Sequence, residues 1–195
     1  MFDLELGQID EIVRICLLCD LSSSRTNAVP GEGDPNARIF LIGEAPGSEE
    51  DRLGRPFVGR AGQILNGLLT SIGLDRRQTF VTGVVKCRPP HNRDPREKEK
   101  LICNRYLRRQ LELIDPCLIV PMGRHAASCI FQMYGLEMAE IGKIHGKTFV
   151  VETARGRKMI VPTYHPAVIT HNPRMRRDLE NDFQALRIVI DGILR

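Results

Sequence analysis

The sequence predicts an α/β fold: a parallel sheet covered by helices on both faces. Three observations lead there. Strand-like and helix-like segments alternate along the chain. Several strand segments are continuously apolar, as strands buried on both faces are. The length, 195 residues and 22.0 kDa, suits one domain spanning 1–195. A chain of this size buries roughly 70% of its unfolded surface on folding, so a core needs neither disulfides nor metal.

In chain order, residues 5–19 read as a helix with Leu6, Ile9, Ile12, Val13 and Cys16 on one face. A polar loop rich in Gly and Pro follows, to Pro35. Residues 38–43 form a short apolar strand that ends at Gly43. Ile64, Leu65, Leu68, Leu69 and Ile72 give 61–72 a helical period. A second strand covers 80–86, and a long charged amphipathic helix covers 96–114 until Asp115-Pro116 stops it. The third strand is 117–122 and the next helix 124–134. Residues 148–152 and 158–163 pair as a hairpin around Ala154-Arg155-Gly156-Arg157, and 174–194 form the last helix. Ligands of such folds sit beyond the carboxyl ends of the strands. That singles out 44–62, 87–95, 123–125 and 165–173, most of them dense in Gly, Pro, His and charge.

Composition excludes several classes. Hydrophobic residues make up 42% and charged residues 27%, as in soluble globular proteins. Apolar runs such as 117–122 are too short to span a bilayer. The first residues carry no basic-then-apolar leader, so a cytoplasmic protein with no membrane partner is expected. A net charge of +4 permits a nucleic-acid partner without requiring one. Arg174, Arg176 and Arg177 form one basic cluster, and Arg88, Arg93, Arg96, Lys98 and Lys100 another. Either cluster, taken alone, reads equally well as a solvated face.

Of six cysteines, Cys117 and Cys129 read as core thiols. Cys16 and Cys19 form a C-x2-C pair at a helix end, Cys87 follows a strand, and Cys103 lies in the next helix. Four such thiolates suit zinc or an iron–sulfur cluster. Two ordinary buried cysteines beside a redox pair are the alternative. Spacing does not choose iron over zinc, although the lack of a second C-x2-C disfavours a zinc ribbon.

Three further segments are distinctive: Gly43-Glu44-Ala45-Pro46-Gly47 continuing to Gly54-Arg55-Pro56-Phe57-Val58-Gly59-Arg60-Ala61-Gly62; Val84-Val85-Lys86-Cys87-Arg88-Pro89-Pro90 with Asn92-Arg93; and Pro162-Thr163-Tyr164-His165-Pro166-Ala167. With Cys16, Cys19 and Cys103, this ordered set resembles the family 4 iron–sulfur uracil-DNA glycosylases over nearly the whole chain. The resemblance implies a three-layer αβα sandwich around a four-stranded parallel sheet. It implies a structural 4Fe–4S cluster on Cys16, Cys19, Cys87 and Cys103. It also implies hydrolysis of the N-glycosidic bond of deoxyuridine in DNA, a reaction for which a monomer suffices.

The resemblance assigns roles that the chemistry explains. A base inside a duplex must be extruded before it can be cut from its sugar. Phe57 matches the family's stacking aromatic. His165 matches the histidine that donates to uracil O2 as charge develops on the leaving base. Glu44 falls where the family positions the attacking water. Glu50 corresponds to the acid near uracil C5 that helps exclude thymine, and the backbone of Ala45 and Gly47 should line the pocket. Arg60, Arg93 and Arg174 are expected on DNA, and Val168 and Ile169 as a wedge in the vacated stack.

Two positions depart from the pattern. Gly83 stands where the family has an Asn that reads uracil N3–H and O4, a loss of paired contacts commonly costing about 1–3 kcal/mol. If only that contact were missing, Gly83→Asn should raise uracil excision. His91 sits where a related branch carries a histidine that captures the sugar covalently, but the longer basic insertion of that branch is absent. A solvent-facing or phosphate-contacting role for His91 is the favoured reading. Gly83 keeps alternatives open: another lesion such as hypoxanthine or xanthine, or low-turnover binding of DNA or damaged bases.

Overall fold

The computed structural model describes residues 5–194; residues 1–4 and 195, the ends of the domain expected over 1–195, lie outside the described residues. Its strands are β1 (Glu32–Gly33), β2 (Ile39–Gly43), β3 (Thr79–Gly83), β4 (Leu118–Pro121), β5 (Phe149–Thr153) and β6 (Gly156–Ile160). They form one sheet in the order β1-β3-β2-β4-β6-β5. The inner four, β3, β2, β4 and β6, run parallel, as expected. An antiparallel strand closes each edge: β5 completes the expected hairpin, and β1 adds a sixth strand.

The eight helices among the described residues are α1 (Leu6–Arg14), α2 (Ser48–Leu53), α3 (Arg60–Ser71), α4 (Glu97–Ile114), α5 (Arg124–Met133), α6 (Ile141–Ile144), α7 (Val168–His171) and α8 (Arg176–Leu194). None is long and apolar enough to cross a membrane. The layers follow from the two-residue period of the strands. In β2, Phe40 and Ile42 point to a core shared with Ile9, Val13, Leu107 and Ile130, from α1, α4 and α5. Ile39 and Leu41 point the other way, to Leu65, Leu69, Phe183 and Leu186 of α3 and α8. All five residues of β2 are buried. Its continuous apolar run is the signature of a central parallel strand.

Several boundaries differ from the sequence reading. The first helix stops at Arg14, not residue 19, so Cys16 and Cys19 lie in the turns beyond it. Strand β3 ends at Gly83, after which Val84 and Val85 still donate backbone N–H groups to Gly43 and Glu44 carbonyls. The second hairpin strand, β6, ends at Ile160, and only an isolated bridge joins Met122 to Thr163. The last helix starts at Arg176, because Pro173 opens a separate 3-10 turn capped by the Asn172 side chain. Cys129 is buried as expected, whereas Cys117 is only half-buried at the edge of β4.

The parallel register brings the carboxyl ends of β2, β3 and β4 to one edge of the sheet. The segments 44–62, 87–95 and 123–125 leave from that edge, and Thr163 leads 165–173 to the same place.

Candidate active site

A cavity of about 370 Å³ opens at this edge. Glu44, Ala45, Gly47, Glu50, Phe57 and His165 all line it. Asn92, Arg93 and Asp94 form part of another wall.

Phe57 is held by close backbone packing. Its ring lies over Gly43, where a Cβ would come within 2.6 Å of ring carbon Cζ. Its carbonyl lies so close to α3 that a Cβ at Gly62 would sit 1.8 Å from the oxygen. The φ of Phe57 is 51°, in the left-handed region that non-glycine residues rarely adopt. Arg76 secures the strained turn, donating from Nη1 to the Phe57 carbonyl at 2.7 Å and from Nη2 to the Pro56 carbonyl at 2.5 Å.

Glu50 fastens the same loop to the start of α2. Its Oε1 accepts the N–H groups of Val58 and Gly59 at 2.9 and 2.8 Å, and its Oε2 accepts the Gly47 N–H at 3.1 Å. This carboxylate lines the cavity with both of its oxygens accepting backbone N–H groups.

The ring of His165 lies 5.8 Å from that of Phe57, centre to centre. The Ala167 N–H donates to His165 Nδ1 at 3.2 Å. The ring nitrogen left to donate is Nε2. Burial lowers the His165 pKa to about 4, against a smaller upward pull from Glu50. The imidazole is therefore neutral near neutral pH. Asp182 of α8 steadies the segment, because its Oδ2 accepts the Tyr164 N–H at 3.0 Å while its Oδ1 meets His145 Nδ1 at 2.6 Å.

Glu44 follows β2 directly. Burial holds its carboxyl above the usual range; His125, Arg124 and Lys100 pull it down, and Asp94 pushes it up. His125 Nε2 lies 3.8 Å from Glu44 Oε2 and 3.3 Å from Asp94 Oδ2. Arg124 and Asp94 form an ion pair beside them. His125 and Asp94 were not singled out from the sequence, although both lie in segments that follow parallel strands, and that placement was the available signal.

Other expected residues are placed less simply. Gly83 ends β3 without lining the cavity, and a Cβ there would meet the Val85 carbonyl oxygen at 2.9 Å. Arg93 spends its guanidinium on Glu99, at 2.6 and 2.9 Å. Ile169 is 6% exposed and packs in the α3–α8 core, which leaves half-buried Val168 nearer the surface. Arg60 and Arg174 are exposed, and so is His91.

Cys16, Cys19, Cys87 and Cys103 converge on one small cavity with Arg25, Lys86 and Tyr106. None of them forms a disulfide. Arg25 Nη1 donates to Cys87 Sγ at 3.0 Å and the Lys86 backbone N–H to Cys103 Sγ at 3.3 Å. Burial raises the Cys87 thiol and pushes Cys103 up to about 12. Buried thiols of that kind ionise when a metal centre displaces their protons. The donor set fits a thiolate-ligated group.

An α/β sandwich with a cavity at its carboxyl edge lined by Glu44, Phe57 and His165, and with four convergent thiols, narrows the class considerably. The family model of the uracil DNA glycosylase superfamily matches residues 30–187, and the chain belongs to that superfamily. Its relatives place it within a particular branch, the type-4 uracil-DNA glycosylases. The chain is 49% identical to the Type-4 uracil-DNA glycosylase of Sulfurisphaera tokodaii, over 93% of this chain and 83% of the relative. It is 45% identical to that of Archaeoglobus fulgidus, over 93% and 92%. With that of Thermotoga maritima it shares 40%, over 93% of each.

Proposed function

We propose that the chain is a DNA glycosylase that hydrolyses the N-glycosidic bond of deoxyuridine in DNA, acting as a cytoplasmic monomer. The observation that carries the reading is the meeting of Glu44, Phe57 and His165 on one cavity at the carboxyl edge of the sheet. An extruded base enters that cavity and stacks on Phe57. The Nε2–H of His165 then faces the oxygen on which negative charge grows as the bond breaks. A neutral donor suits this task, because it stabilises the developing anion without surrendering a proton. Glu44 orients the attacking water and offsets positive charge on the sugar. In this reading exposed Arg60 and Arg174 contact the DNA backbone, and the burial of Ile169 makes half-buried Val168 the better candidate for a wedge.

Cys16, Cys19, Cys87 and Cys103 would hold a 4Fe–4S cluster whose contribution is to cross-link the turn after α1, the segment after β3 and helix α4. Wide spacing favours a cluster over zinc. Among the described residues, only Glu44, Asp94 and His125 bring three metal-ligating atoms all within 4.8 Å of one another. Four thiolates around one zinc, at about 2.3 Å each, would pack closer than that limit. About four iron atoms per chain and a broad visible absorbance in anaerobic protein are expected; stoichiometric zinc would overturn the cluster.

Single-turnover excision from matched oligonucleotides carrying uracil, hypoxanthine, xanthine or thymine tests the reaction. Uracil release is expected despite Gly83. Release of another base without uracil would reassign the lesion, and binding without release would make the chain a binding protein.

A further inference from the structure

Glu44 is placed among mixed charges. From α5 it is faced by His125 and Arg124, from the loop after β3 by Asp94, and from α4 by Lys100. Arg124 is committed to Asp94 and Lys100 to Glu97. His125 differs. Its Nε2 is sealed from solvent and has no hydrogen-bond partner among the described residues, yet it lies between two carboxylates, 3.8 Å from Glu44 and 3.3 Å from Asp94.

Two carboxylates this near one another cannot both ionise cheaply, and one takes a proton unless a cation stands between them. A protonated Glu44 loses acceptor capacity for the water that it must orient. We propose that His125 is a positioning residue of the reaction: standing between the two carboxylates, it keeps Glu44 ionised and turned into the cavity against the repulsion of Asp94. This rests on the reading of Glu44 as the water-orienting group. His125 touches neither base nor sugar in this scheme and acts only through Glu44. The sign is definite. Interaction with His125 pulls the Glu44 carboxyl down, so its removal lets Glu44 take up its proton at higher pH.

The test is single-turnover uracil excision by the cluster-loaded protein across about pH 4 to 9, with His125→Gln, His125→Ala and Glu44→Gln beside the wild type. In both His125 variants the acidic limb should move up by about one pH unit, with a much smaller loss on the alkaline plateau. Glu44→Gln should be slow throughout and lack that limb. His125→Gln keeps nearly the volume of the ring and carries the test if His125→Ala loses its visible absorbance. An unmoved limb in His125→Gln, or an equal loss at every pH, overturns the proposal while leaving Glu44 in its role. Wild-type rate and limb in Glu44→Gln would instead remove the reading of the site on which the proposal stands.

Discussion

The Ala167 backbone N–H points at Nδ1 of His165 from 3.2 Å and so settles which nitrogen of the ring can donate. The sequence Tyr164-His165-Pro166-Ala167 thus supplies both the donor and the amide that fixes its tautomer.

His165→Ala should therefore lower the single-turnover rate by at least about tenfold and leave DNA affinity nearly intact. Unchanged turnover would remove His165 from the chemistry.

Protonation of the same ring is open to NMR. With its folded pKa lowered from 6.5 to about 4, His165 binds its proton later than the unfolded chain does. Its contribution to stability is full above the unfolded value and is lost as pH falls through the window between the two. A nitrogen-15 titration should show a neutral, Nε2-protonated ring down to about pH 4. Titration in the ordinary histidine range would refute the neutral donor.

Glu50 is expected to act on the loop more than on the base. Glu50→Ala strands the N–H groups of Gly47, Val58 and Gly59 and should cost about 2–4 kcal/mol in denaturant unfolding, with loss of uracil excision. Glu50→Gln should lose stability without gaining thymine excision. Thymine release by that variant would return Glu50 to the direct steric role that the family resemblance implies.

Gly83→Asn separates a missing contact from a rebuilt backbone. A Cβ at this position meets the Val85 carbonyl oxygen at 2.9 Å, too close without a shift of the main chain. The structure therefore reverses the simplest sequence expectation: the variant should lose about 1–3 kcal/mol of stability and excise uracil no faster. Faster excision at undiminished stability would show that the site lacks only an amide.

Arg93 was expected on DNA, but its partner is Glu99, whose side chain is 4% exposed. That pairing, with the Arg96 N–H, holds the Glu99 carboxyl below its usual range. A lowered folded pKa gives stability that is present above the unfolded value, about 4.3, and is lost as pH falls through the folded one. Arg93→Ala should lower the unfolding midpoint at neutral pH, and the deficit should shrink below about pH 4. A deficit independent of pH would disconnect it from Glu99.

The parallel strands were legible because burial on both faces writes unbroken apolar runs such as 39–43. Glu44 and His165 were legible because they stand within distinctive segments that follow such strands. Other features leave little trace in one sequence. The two-residue β1 exists only through its pairing with β3. Helices α6 and α7 are single turns fixed by their surroundings. Ile169 looked like a surface wedge because an apolar residue after a loop does not announce which way it turns. His125 and Asp94 meet Glu44 only because three strands end in register, a relation between distant segments that no local pattern contains.

Phe57 rests against two positions, Gly43 and Gly62, whose whole contribution is to be empty. A side chain at either would have to occupy the space of the ring or of its carbonyl. The floor on which a base would lie is therefore the least editable part of the pocket. Changes in which base is accepted would enter through another wall, formed by Asn92, Arg93 and Asp94 of the segment after β3, although Arg93 and Asp94 are themselves held by Glu99 and Arg124.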